Sequence, residues 1–129
     1  MQVYNISFGQ LTDEYVEILH KMGLLRDGGE VHRDTLLPMI DRTDSPESVR
    51  DEIRNCIKDS GVKSEDAVIL SGHPDVVYYI IEALPVPKPL ILSPLGRTVR
   101  GKFRIQGFRE IIVEKRAGPA LHVLYGSRA

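Results

Sequence analysis

Ala67-Val68-Ile69-Leu70-Ser71-Gly72-His73-Pro74-Asp75 opens the stretch that decides the fold, and Leu90-Ile91-Leu92-Ser93-Pro94-Leu95-Gly96-Arg97 closes it. Val68-Ile69-Leu70 and Leu90-Ile91-Leu92 are short apolar runs of the kind that form strands buried on both faces. Between them Val76 to Leu84 reads as an apolar helix, and Pro85-Val86-Pro87 ends it. Two parallel strands joined by a helix place both polar turns at one edge of a sheet. In open α/β sheets that edge, outside the carboxyl ends of the strands, is where ligands bind.

Working outward, Val3 to Ser7 is β-branched and aromatic and reads as the first strand, broken by Phe8-Gly9-Gln10. Thr12 is placed to cap a helix whose Tyr15, Ile18, Leu19 and Met22 recur at helical spacing, and Asp13 and Glu14 suit its dipole. Arg26 to Glu30 is a glycine-rich polar loop. Thr35 to Ile40 reads as a weaker strand, with Pro38 putting it at an edge or bulge. Ser45-Pro46-Glu47-Ser48 is a helix start, Val49, Ile53, Cys56 and Ile57 form the inward stripe, and Gly61 ends that helix. From Arg100 to Ile105 cationic and apolar residues alternate, Gly101 apart, so Arg100, Lys102 and Arg104 are expected on one strand face. Gln106-Gly107 is expected to turn, Ile111 to Val113 to form another buried strand, and Leu121 to Tyr125 a last one. The alternation predicts an α/β, Rossmann-like sandwich over residues 1–129 as one domain, with a mostly parallel central sheet and antiparallel C-terminal strands. Right-handed crossovers then bring three Ser- and Gly-bearing turns to one edge: those after Ser7, Ser71 and Ser93.

The bulk numbers narrow the function classes. The chain has 129 residues and a net charge of −1, so no global field argues for nucleic acid or a membrane, any basic site must be local, and neither double-stranded DNA nor a membrane is an expected partner. Its single cysteine, Cys56, excludes an intramolecular disulfide and a cysteine-based metal site. No apolar run reaches the roughly 18 residues of a membrane span, and Met1-Gln2-Val3 starts a strand instead of a signal peptide. A cytoplasmic location is the expectation. His20, on a helix surface, His32, in a loop, His73 and His122 show no zinc spacing, so no metal is expected. There is no Gly-x-Gly-x-x-Gly after the first strand, no phosphate-loop Lys-Ser/Thr, and no nucleophile elbow.

The three turns carry chemistry of another kind. Small residues at strand ends let a ligand approach the backbone, and serine hydroxyls with helix-start amides can hold phosphate oxygens. Arg97, Arg100, Lys102 and Arg104 can bring positive charge to the same place. Each feature also has a plainer reading. The basic stripe can be an edge strand protected by charge, and Ser-Gly pairs are ordinary turn residues. His73 can serve as acid or base, or simply cap the helix behind it. Tyr78-Tyr79 can pack in the core, make a subunit contact or stack on a base.

The segments Ile6-Ser7-Phe8-Gly9-Gln10-Leu11-Thr12, Val68-Ile69-Leu70-Ser71-Gly72-His73-Pro74 and Ile91-Leu92-Ser93-Pro94-Leu95-Gly96-Arg97 resemble those of the small stand-alone CRISPR-associated ring nucleases, compact relatives of the CARF sensor domain. The resemblance runs from Val3 to Lys115. It implies a single CARF-like domain, a homodimer, and a cyclic oligoadenylate, expected to be the tetra-adenylate, bound across the two-fold axis. The implied reaction uses no cofactor or metal: a ligand 2'-hydroxyl attacks the adjacent phosphorus and leaves a 2',3'-cyclic phosphate. By the same resemblance Ser7, Phe8, Gly9 and Gln10 contact one part of the ring, and Ser71, Gly72 and His73 another. Ser93, Arg97 and Lys102 neutralise phosphate, and Gly96 is a further implied ligand-binding residue. His73, Arg97 and Ser71 are the implied catalytic residues. A sensor or sequestering protein that binds the nucleotide without cutting it is the alternative.

Overall fold

Residue alternation in one short strand explains the layering. In a computed structural model, residues 1–7, 9–25, 28–37, 45–72, 74–85, 89–115 and 121–125 are described. All four residues of strand β3 (Ala67–Leu70) are buried. Ala67 and Ile69 face one apolar cluster with Val3, Leu19, Leu92 and Phe108. Val68 and Leu70 face another with Ile6, Val49, Ile53, Ile57, Val76, Ile80 and Ile91. Successive strand side chains point to opposite sides, so both faces of the sheet need cover.

The helices divide between those faces. Helix α1 (Asp13–Lys21) contributes Leu19, backed by Tyr15 and Ile18, to the first cluster. Helices α2 (Pro46–Ser60) and α3 (Pro74–Ala83) supply the second. Strands β1 (Gln2–Ile6), β2 (Glu30–His32) and β4 (Leu90–Val99) join β3 in parallel, and β5 (Lys102–Lys115) and β6 (Leu121–Tyr125) follow antiparallel. The order is β2-β1-β3-β4-β5-β6 in one sheet. The protein is a Rossmann-like α/β sandwich, with a largely parallel sheet ending in antiparallel strands.

The caps follow the sequence. Ser45 accepts a hydrogen bond from the Ser48 amide at 3.2 Å, Pro46 sits in the first turn, and Gly61 closes α2 in the left-handed region. Thr12 caps α1 with extended backbone, without a side-chain bond.

Three local expectations are corrected. The strand beside β1 is Glu30–His32, and of the expected strand Thr35–Ile40 the described residues Thr35 to Leu37 are not in a strand. Thr35 to Leu37 instead form a connection: the Thr35 hydroxyl donates to the Ser7 carbonyl at 2.5 Å, and the Leu36 amide donates to the Asn5 carbonyl. Residues 38–40 lie outside the described residues. His32, expected in a loop, belongs to β2 and stacks on Tyr4 with ring centroids 4.6 Å apart.

The third correction matters most. Leu90 to Val99 form one continuous strand, so Ser93 to Arg97 make no turn. Gln106 and Gly107, expected to turn, lie within β5, which also carries Ile111 to Val113 as expected, but with Val113 buried and Ile112 exposed in place of a strand buried throughout. The chain reverses at Arg100-Gly101, between the paired Val99 and Lys102. Both turn residues have positive φ, 52° and 78°, the mark of a two-residue hairpin that continues the strand twist. The long run of cross-strand pairs overrode the turn chemistry of Ser-Pro and Gly. Gly96 is needed for another reason. A Cβ there would lie 2.1 Å from the Arg104 carbonyl oxygen and 2.9 Å from the end of the Phe103 ring, beside the bulge between Leu95 and Gly96. Gly96→Ala should therefore cost about 2–3 kcal/mol, read by urea denaturation. A loss under about 0.5 kcal/mol would mean that the hairpin does not depend on this close approach.

Candidate functional site

The strand order defines a crevice before any side chain is considered. The chain leaves β1 toward β2 on one side and leaves β3 toward β4 on the other. Connections that diverge in this way open a gap at the carboxyl ends of the two middle strands. Ile6 pairs with Leu70, so Ser7 and Ser71 are the next residues on neighbouring strands. Two of the three expected turns meet at this edge. The third does not exist.

A buried amide builds the first lip. Asn5 has no exposed surface. Its Nδ2 donates to the carbonyls of Gly9 at 2.7 Å and Arg33 at 2.8 Å. Its Oδ1 accepts from the Ser7 amide at 3.0 Å and the Ser7 hydroxyl at 2.5 Å. These four bonds use the side chain's full capacity. Leu11 donates its amide to the Arg33 carbonyl, and Gln10 Nε2 reaches Asp34 Oδ1 at 3.0 Å. An Arg33–Asp13 ion pair closes the same seam. The loop after β1 is thus tied to the connection after β2.

This geometry sorts the candidate residues. Ser7 is buried, and its hydroxyl proton is committed to Asn5, so it can accept a hydrogen bond from a ligand but does not donate to one. Gly9 and Gln10 are exposed on the lip. Ser71 and Gly72 are exposed on the facing lip, where α3 begins at Pro74. The first amides of α3 therefore lie at this edge. Phe8 and His73 lie outside the described residues. Ser93 and Gly96 sit within β4, paired with Arg109 and Ile105, and Gly96 serves the hairpin. Asn5 was not among the expected site residues. Its signal in the sequence is a polar residue inside Val3-Tyr4-Asn5-Ile6, in phase with Val3.

The basic residues are carried on an arm. Among the described residues, β3 accompanies β4 as far as Leu92, and β6 accompanies β5 from Ile111 onward. Beyond those points, among the described residues, the two strands pair with each other. Ile105 and Phe108 bury the base of the arm against the α1 cluster, with Phe108 edge-on to Tyr15 at 6.2 Å. Leu95 to Arg104 are exposed throughout. Arg97 pairs across the ribbon with Arg104, and Val99 with Lys102, so these four share a face. Arg100, expected on that strand face, occupies the turn. Val99, Arg100, Lys102 and Arg104 line an open hollow of about 440 Å³. Arg104 pairs with Glu14 at 2.7 Å, which ties the arm to the first turn of α1, directly after the first lip.

Elsewhere, Tyr78 and Tyr79 meet edge to face at 6.0 Å on α3, with Tyr79 packed against the core and Tyr78 exposed. Among the described residues, no three His, Cys, Asp or Glu side chains converge as metal ligands, and no helix is long and apolar enough to cross a membrane. Comparisons with protein-family models, curated proteins and solved structures give no match.

Because Asn5 satisfies two carbonyls, an amide and a hydroxyl at once, Asn5→Ala should lower stability by roughly 2–4 kcal/mol, measured by denaturant unfolding. A loss below about 1 kcal/mol would show that the lip holds its shape without the amide.

Proposed function

We propose that the protein is a ring nuclease. In this reading a homodimer binds a cyclic oligoadenylate, the tetra-adenylate as the expected ring, at the carboxyl edge of the sheet and opens it. The observation that supports the reading is one juxtaposition. Two polar lips, Gly9-Gln10 and Ser71-Gly72, flank the crevice, and the cationic arm is tied by Arg104–Glu14 to the helix that follows the first lip. A small, polar, backbone-rich cleft beside a row of guanidinium and ammonium groups suits a ligand with bases, riboses and several phosphates.

The chemistry asks little of the protein beyond position and charge. A ligand 2'-oxygen forms a bond to the adjacent phosphorus, the 5'-oxygen leaves with a proton, and a 2',3'-cyclic phosphate remains. Holding the hydroxyl in line supplies one part of the acceleration. Donors aimed at the phosphoryl oxygens supply another, each worth about 10²–10³ in rate. Ser7 suits the first task as an acceptor for a ribose hydroxyl. Ser71, the amides at Gly72 and the start of α3, and Arg97 suit the second, with Lys102 further along the arm. His73 retains the role of acid to the leaving oxygen or of orienting group. A second reading, binding without cleavage, is favoured by one observation: the Ser7 hydroxyl at the crevice already gives its proton to Asn5.

Labelled cyclic tetra-adenylate incubated with the protein in EDTA separates these readings. Linear products ending in a cyclic phosphate are expected. A retained, intact ring supports the second reading, and no binding at low salt sinks both. Arg97→Ala should lower kcat/KM about 10²-fold, whereas Arg50→Ala, which loses only a surface pair with Glu82, should change it little. Equal activity of the two variants would remove Arg97 from the site.

A further inference from the structure

We propose that the tip of the β4–β5 arm is a binding site for the phosphodiester backbone of single-stranded nucleic acid, centred on Arg100 and Lys102. This inference does not rest on the ring-nuclease reading.

Charge is the first observation. Arg97 to Arg104 hold four cations and no acid, in a chain whose net charge is −1. Among the described residues only Arg104 of the four has an ion-pair partner. Arg97 and Arg104 are directly opposed across the ribbon, an arrangement that destabilises a sheet unless an anion lies nearby.

Backbone cost is the second. Arg100 is the one non-glycine residue with positive φ among the described residues, at 52°. This position in a two-residue hairpin favours Gly, Asn or Asp. A left-handed residue bearing a long side chain is disfavoured, and such sites cluster where function requires them. Protection of exposed strand edges asks for charge on the arm, and Arg97, Lys102 and Arg104 already provide it. That role leaves the strained guanidinium at the apex unexplained. A ligand that needs charge there explains it.

Shape is the third. Arg100, Lys102 and Arg104 converge with Val99 around the open hollow of about 440 Å³. Exposed Leu95 and Val99 alternate with Arg97 along β4 and offer apolar contact to sugars. Single strands suit this arrangement, because a cationic groove that tracks the backbone is how such ligands are held without sequence preference. An anionic membrane is the competing partner for a basic hairpin with exposed Val99 and Phe103. Backbone tracking along the row from Arg97 to Arg104 favours the single strand, and the vesicle arm of the test distinguishes the membrane.

The test is fluorescence anisotropy with a 5'-labelled 12-residue oligouridylate, titrated from 20 to 200 mM salt. Binding should weaken with salt, each tip cation adding about 0.7 to the log–log slope. Arg100→Gly/Lys102→Gln should weaken binding at least about tenfold and flatten the slope by about 1.4. Arg100→Gly alone should raise the thermal midpoint while weakening binding, opposite signs that a purely structural role would not produce. The inference is overturned by the absence of binding at 20 mM salt, by an unchanged affinity in the double variant, or by pelleting with phosphatidylserine vesicles in place of oligouridylate binding. Turnover of cyclic tetra-adenylate, measured on the same samples, reports separately on the ring-nuclease reading.

Discussion

The fold depends on burying β3 from both sides. Ala67 and Ile69 need cover on one face, and Val68 and Leu70 on the other. A chain that meets both demands with helices must cross the sheet in two directions, which here places α1 on one face and α2 with α3 on the other. The connections after β1 and β3 must then part company. The crevice between them is a geometric result of two-sided burial. Its lips inherit their residues from whatever the chain needs to end a strand and start a helix there.

Legibility in the sequence follows the strength of the local signal. β3, the apolar start of β4 and helices α1, α2 and α3 show apolar runs or helical spacing, β1 shows β-branched and aromatic residues, and the caps at Ser45 and Gly61 act as their chemistry predicts. β2 is three residues long, with one apolar residue between Glu30 and His32, too little for any periodicity to register. The length of β4 was hidden for the opposite reason. Ser93-Pro94 and Gly96 carry the composition of a turn, but the pairing of β4 with β5 from Leu90 to Val99 outweighs it. Pro94 tolerates the strand because, among the described residues, β3 no longer accompanies β4 beyond Leu92. Of the site, the two Ser-bearing lips were legible because strand topology places them. Asn5 was not, since its role lies in contacts with Gly9 and Arg33 that no local pattern announces.

The two halves of the candidate site are built on different principles. The first lip is a satisfied polar network around a buried amide, rigid because each donor and acceptor has one partner. Such a network gives position, and it does so by using the hydroxyl that would otherwise face a ligand. The arm is exposed and cationic, with little of its charge internally balanced. It gives field. A polyanionic nucleotide is the ligand class that would use both in the proposed reading, with bases and riboses on the lips and phosphates toward the arm.

How the arm is held bears on that division. Arg104 and Glu14 are 61% and 46% exposed, so their ion pair contributes at most about 0.5–1 kcal/mol. Ile105 and Phe108 are buried at the base, and each contributes roughly 1.5–3 kcal/mol through removal from water. Packing therefore sets where the arm stands, and the ion pair only trims its angle. Exchanging Glu14 for a ligand phosphate would cost Arg104 little, and it would relieve the repulsion from Arg97 opposite. An arm anchored by apolar packing can present its cations to an anion without losing its own footing.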